Sequence, residues 1–155
     1  MKEKHRLSFS AILILALTFL SCSEDRIFEE FKAIENESWN EQDTVSFSIN
    51  LSQEETGPQL IGVRFNEDYP FSNLYLRYIS QDSSGIILEN KLLNIPLFDS
   101  KLGSPLGKGF GNTFTKFDTL PFPIKKGTAS ISMIQYMRKE EVQGIEAIGV
   151  KILNK

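Results

Sequence analysis

Histidine and cysteine are almost missing from this 155-residue chain. There is one of each, His5 and Cys22, and residues 23–155 contain neither. A Ser-His-Asp or Cys-His nucleophile needs an imidazole to carry its proton, so residues 23–155 exclude that chemistry. The common zinc sites built from His and Cys are excluded for the same reason. A lone cysteine closes no disulfide within the chain, so the fold rests on burial. A dominant charge is lacking too: 17 Lys and Arg stand against 20 Asp and Glu, a net charge of −3. No basic face is available to neutralise phosphates, which argues against nucleic acid as a partner.

Long hydrophobic runs are also scarce, and the single one is informative. Leu7 to Cys22 follows Lys2, Lys4, His5 and Arg6. Its apolar part is about 15 residues, short of the roughly 20 that a membrane-spanning helix needs. A basic start, a short apolar stretch and the small Ser21 before the cut make a secretory signal peptide over residues 1–21. Cys22 directly after Ser21 is the layout of a bacterial lipobox, with Phe19 where Leu is usual. The expected mature protein is residues 22–155, held to a membrane by lipid on Cys22. Two or more acyl chains anchor firmly where one does not.

The signal segment carries Lys2, Lys4 and Arg6 against Glu3, or +2, which leaves −5 for residues 22–155. All of that excess sits in residues 22–41, an acidic tether and first element; residues 42–155 balance at zero. Ser23-Glu24-Asp25 opens the tether. Acidic residues beside an anchor repel anionic headgroups and hold a domain off the surface, or else form a solvated linker whose charge has no role. Ile27, Phe28, Phe31 and Ile34 fit a short amphipathic helix or an edge strand, and the strand agrees with the β-pattern of residues 42–155. Trp39 reads as a ring covering one end of the core, with ligand stacking as the alternative.

Residues 42–155 read as an all-β domain. Val45, Phe47, Ile49 and Leu51 alternate with Ser46, Ser48 and Asn50, the pattern of a half-buried antiparallel strand. Further strands are expected at Leu60–Phe65, Leu74–Ser80, Ile86–Pro96, Phe117–Phe122, Thr128–Met137 and Ala147–Leu153. Turns fall at Gln53–Pro58, Asp82–Gly85 and Lys126-Gly127. Seven to eight short strands at regular spacing make an antiparallel β-sandwich, with a closed barrel as the runner-up.

Three connections are not explained by strands. Asn66–Asn73 contains Asp68, Tyr69, Pro70, Phe71 and Asn73; it reads as a rigid corner capped by aromatics, or as a partner surface. Leu102–Gly111 is glycine-rich but lacks the spacing and following helix of a phosphate loop. It reads as a long loop needing positive φ or as a binding loop, with Gly107, Lys108, Gly109 and Phe110 at its tip. Met137–Glu146 is a charged connection in which Arg138 can pair with a carboxylate and fix the base.

These segments together resemble the gliding-motility lipoprotein GldH family of the Bacteroidetes. The resemblance is carried by Trp39 with Asp43–Phe47, by Asp68-Tyr69-Pro70-Phe71-Ser72-Asn73-Leu74 and by Leu106-Gly107-Lys108-Gly109-Phe110-Gly111. Met137-Arg138 and Val142–Glu146 complete it, in matching order behind the lipobox. It implies a non-enzymatic envelope lipoprotein needed for gliding, in the company of the type IX secretion and motility machinery. It implies no cofactor, metal or catalytic residue, and only Cys22 transfers as a modified position. The implied partners are membrane lipid and other envelope proteins. The implied site is the outer membrane, on its periplasmic face or the cell surface. A second reading is a surface lipoprotein that binds glycan through Trp39, Tyr69 and Phe71. A third, an enzyme using carboxylates, Ser and Lys, finds no convincing pair.

Overall fold

The computed structural model describes residues 26–49 and 57–154. The signal segment, Cys22 and most of the Gln53–Pro58 turn lie outside them. Two antiparallel sheets face each other across one apolar core, an all-β sandwich as the alternation implies.

The five-stranded sheet contains β1 (Arg26–Ala33), β11 (Ile145–Leu153), β4 (Gln59–Asn66), β8 (Thr113–Thr119) and β7 (Lys108–Phe110), in that spatial order. The four-stranded sheet contains β3 (Val45–Ser48), β9 (Ser130–Gln135), β5 (Asn73–Gln81) and β6 (Ile87–Pro96). A small ribbon pairs β2 (Ser38–Asn40) with β10 (Glu141–Gln143).

Period two decides which side chains enter the core. Ile61, Val63 and Phe65 of β4 lie beside Val150, Ile148 and Ile145 of β11, all almost fully buried. Leu74, Leu76 and Tyr78 of β5 face them with Ile131 and Met133 of β9. Burial pushes the Tyr78 phenol up to about 12; the neighbouring Ser80 hydroxyl pulls the other way.

The structure describes eleven strands rather than seven or eight, because β2, β7 and β10 are only three residues long. The strand expected at Phe117–Phe122 lies at Thr113–Thr119, and Pro121 and Pro123 follow it outside the ladder. Residues 26–33 take the strand reading. β1 pairs with β11 along its length, so the first element belongs to the sandwich. As an edge strand it turns Glu30 and Lys32 toward the inner side, which discourages pairing with another chain. Trp39 is fully buried at one end, and its indole N–H donates to the Asp43 carbonyl at 3.0 Å. The covering role holds; a buried ring has no face left for a ligand.

Candidate functional site

The three unexplained connections meet at one end of the sandwich. β4 ends at Asn66, where the corner begins. Asn66 is 4 % exposed and ties four segments together. Its side-chain amide donates to the Glu37 carboxylate at 2.8 Å, and its side-chain oxygen accepts the Asp68 N–H at 3.0 Å. Its backbone N–H donates to the Gly144 carbonyl, and its carbonyl accepts the Tyr69 N–H. Gly144 has φ +81°, and a Cβ there would collide with the Tyr69 backbone nitrogen. Only glycine serves both needs at that position.

Tyr69 is the keystone of the corner rather than its surface. It is 4 % exposed, its hydroxyl donates to the Asn73 carbonyl at 2.7 Å, and its ring meets Phe71 edge-on. Burial raises its phenol far above the ordinary tyrosine value. Tyr69 therefore positions the segment, and the stacking role in the glycan reading does not fit it. Asp68 and Pro70 are exposed, while Phe71 and Asn73 are half-exposed.

The glycine-rich segment packs against this corner. Leu97 and Phe98 both donate their N–H groups to the Ser72 carbonyl, at 2.8 and 2.9 Å. The Asp99 carboxylate accepts the N–H groups of Leu102 and Lys101 at 2.8 Å each; Leu102 first and Lys101 next hold its carboxyl below the usual range. Leu106 returns to Leu97 through a 2.8 Å backbone bond. The chain then forms a hairpin of β7 and β8 that reverses at Gly111-Asn112. Gly111 has φ +65° in the first central place, as a tight two-residue hairpin turn requires. The Asn112 side chain accepts the Glu67 N–H, fastening hairpin to corner.

The hairpin lifts Phe110 to 97 % exposure, with Lys108 exposed beside it and Gly107 and Gly109 in close backbone approach to β8. Leu102 is 82 % exposed on the same segment. Between corner and loop lies a cleft of about 380 Å³ lined by Glu67, Phe71, Ser72, Phe98, Asp99 and Gly103 among others.

Arg138 departs from its expected role. Among the described residues it makes no ion pair, and the base of its turn is held by Gln135 instead. The Gln135 side chain, 1 % exposed, donates to the Lys139 carbonyl at 2.7 Å and accepts the Met137 N–H at 2.9 Å. Arg138 sits exposed with φ +57°. Asn66, Gln135 and Gly144 escape sequence reasoning. A polar residue ending an apolar strand was the available signal for Asn66; nothing marks Gln135.

This end offers ring edges, glycine backbone, two cations and carboxylates. Its Thr113 hydroxyl donates to the Glu146 carboxylate at 2.9 Å, and among the described residues no group of His, Cys, Asp or Glu could hold a metal. No described helix is long and apolar enough to cross a membrane.

Residues 26–152 match the family described as GldH lipoprotein. The chain is 27 % identical over 151 residues to the gliding motility lipoprotein GldH of Flavobacterium johnsoniae, covering 92 % of this chain and 91 % of that one. It is also 27 % identical over 168 residues to a GldH homolog of Christiangramia forsetii, covering 95 % and 96 %. A solved GH115 4-O-methyl-α-glucuronidase aligns at a TM-score of 0.41 and 14 % identity, over 86 % of this chain and 18 % of that one, too loosely to bear on fold or activity. The extent of the family match, across both sheets and all three connections, places this chain in the GldH lipoprotein family.

Proposed function

We propose that this chain is a lipid-anchored envelope component of the gliding motility machinery, working beside type IX secretion proteins without catalysis of its own. Lipid on Cys22 holds it to the outer membrane, and Glu24 and Asp25, between that anchor and β1, repel the headgroups. A protein partner docks on the end where corner and hairpin meet.

The carrying observation is Phe110. A phenylalanine at 97 % exposure contributes nothing to this fold, yet a hairpin with a glycine turn and an Asn112 fastening presents it. Apolar anchors flanked by charge, here Lys108, are what protein interfaces bury at their centres. The relatives' names supply the cellular setting.

The test is a strain carrying Phe110→Ser or Lys108→Glu at the native locus. Spreading should be lost in the first and reduced in the second, with the protein present at normal level in the membrane fraction. Cys22→Ala should leave a protein that accumulates unlipidated. Normal spreading of both tip variants at normal protein level refutes the docking role.

A further inference from the structure

The hairpin does not use the outer face of the four-stranded sheet, and that face has the makings of a second site. Cross-strand register places Asn94 of β6, Tyr75 of β5 and Tyr136 in one row, the last joined by its N–H to the Tyr75 carbonyl at 2.8 Å. The next row is Leu92, Arg77 and Ile134. Tyr75 is 37 % exposed, Tyr136 50 % and Leu92 57 %. Neither phenol ring packs against another ring among the described residues.

The Met137-Arg138 turn overhangs this face and makes it concave. A cleft of about 580 Å³ is lined by Phe71, Asn73, Tyr75, Leu92, Tyr136 and Arg138 together with Met137. An adjoining cleft of about 330 Å³ is lined by Glu41, Arg77, Tyr136 and Arg138 with their neighbours. Both lie within the range of roughly 300–1,000 Å³ typical of ligand sites. Arg138 belongs to both, and it occupies a left-handed backbone conformation that disfavours any residue with a Cβ. The buried Gln135 clamp holds it there. Glycine would fill the turn without strain, so the guanidinium is kept against a conformational cost.

We propose that this face binds a saccharide chain bearing carboxylates. A sugar ring has an apolar face of C–H groups and a rim of hydroxyls. The exposed Tyr75 and Tyr136 rings offer apolar surface for the first, and the Asn73 and Asn94 side chains, joined to each other at 2.6 Å, offer their remaining donors and acceptors to the second. Arg138 presents a planar fork that takes a carboxylate in two parallel bonds; Arg77, whose Nε–H donates to the Asn90 side chain at 3.1 Å, keeps its terminal N–H groups for the same purpose. Glu41, the one acid among the described residues lining these clefts, belongs to the smaller cleft, and it directs the ligand's carboxylate to the larger one, which Arg138 lines without an acid. An extended peptide is the weaker fit. The backbone groups of β5 are already bonded to β6 and β9, so this face offers no strand addition.

The test is affinity electrophoresis of the purified full-length lipoprotein in gels containing polygalacturonate, alginate or hyaluronate. At least one should retard the protein, and its carboxyl-reduced form should retard it tenfold less. Tyr136→Ala and Arg138→Gly should each weaken retention tenfold or more. Arg138→Gly should also raise Tm by about 2–4 °C, since it relieves the backbone while removing the fork. Phe110→Ser should leave retention unchanged, which separates this site from the protein-docking tip. Retardation by none of the three overturns the proposal. So does equal retardation by polyglutamate, or an Arg138→Gly variant that binds as wild type or loses Tm.

Discussion

The two outer faces of this sandwich use their aromatic residues in opposite ways. On the five-stranded sheet, Phe31 of β1 lies flat over Gly149 and Gly62, which stand side by side on β11 and β4. Its edge meets Phe117 of β8 at 5.7 Å. The Arg64 guanidinium sits 5.3 Å from the Phe31 ring centre, and the Lys151 ammonium 5.3 Å from that of Phe117. Glu29 joins Lys151 at 3.3 Å and Arg26 at 3.0 Å. Phe31 is thus covered by its own chain, while Phe117 beside it stays 36 % exposed. On the four-stranded sheet, Tyr75, Tyr136 and Leu92 are exposed, and neither tyrosine has a ring or cation packed on it among the described residues. Aromatic area that the chain seals with its own glycines and cations serves stability; aromatic area held open in a concave setting is available for binding.

The sharpest way to break this contrast is to fill the glycine row. A Cβ on Gly149 would stand 2.7 Å from the Phe31 ring, so Gly149→Val must evict it. The expected loss is about 3 kcal/mol, read as a lower urea midpoint at unchanged slope. Next comes removal of the lid. Phe31→Ala should cost about 2 kcal/mol, less than a fully buried ring because Phe31 is only half covered. Its counterpart, Tyr136→Ala, should change stability by less than about 0.5 kcal/mol. Equal costs on the two faces would end the distinction.

The smallest expected effect concerns the loop beneath the hairpin. Bonds from Leu102 and Lys101 lower the Asp99 carboxyl. A carboxyl lowered on folding contributes stability that is complete above its unfolded value, about 3.9, and is lost as pH falls through its folded value. The 99–103 turn should therefore stay closed at pH 5 and open only in stronger acid. The Leu102 amide chemical shift should titrate with a midpoint below that of aspartate in an unfolded peptide. A midpoint at or above that value contradicts the capping.

Much of the core was legible, because Val45, Phe47, Ile61, Val63, Ile131 and Met133 announce themselves by alternation. The corner and the glycine-rich hairpin were legible as connections with unusual demands, and they do meet at one end. Which corner residue faces outward was not legible. Tyr69 and Phe71 carry similar rings, and only the position of Gly144 beneath the backbone makes Tyr69 the buried one. The open face was missed for a related reason. Tyr75 and Arg77 lie on β5 and Tyr136 just past the end of β9, far apart in sequence, and without register nothing joins them. The Gly62–Gly149 row was invisible on the same ground.

The central claim is that this protein meets its protein partner at the hairpin end and not on the Phe31–Phe117 face. Photo-crosslinking in living cells from a reactive residue placed at position 110, against the same residue at position 117, tests it most directly. The account predicts a discrete adduct with an envelope protein from 110 and none from 117, with normal folding of both. Adducts from 117 alone, or from neither position, would contradict it.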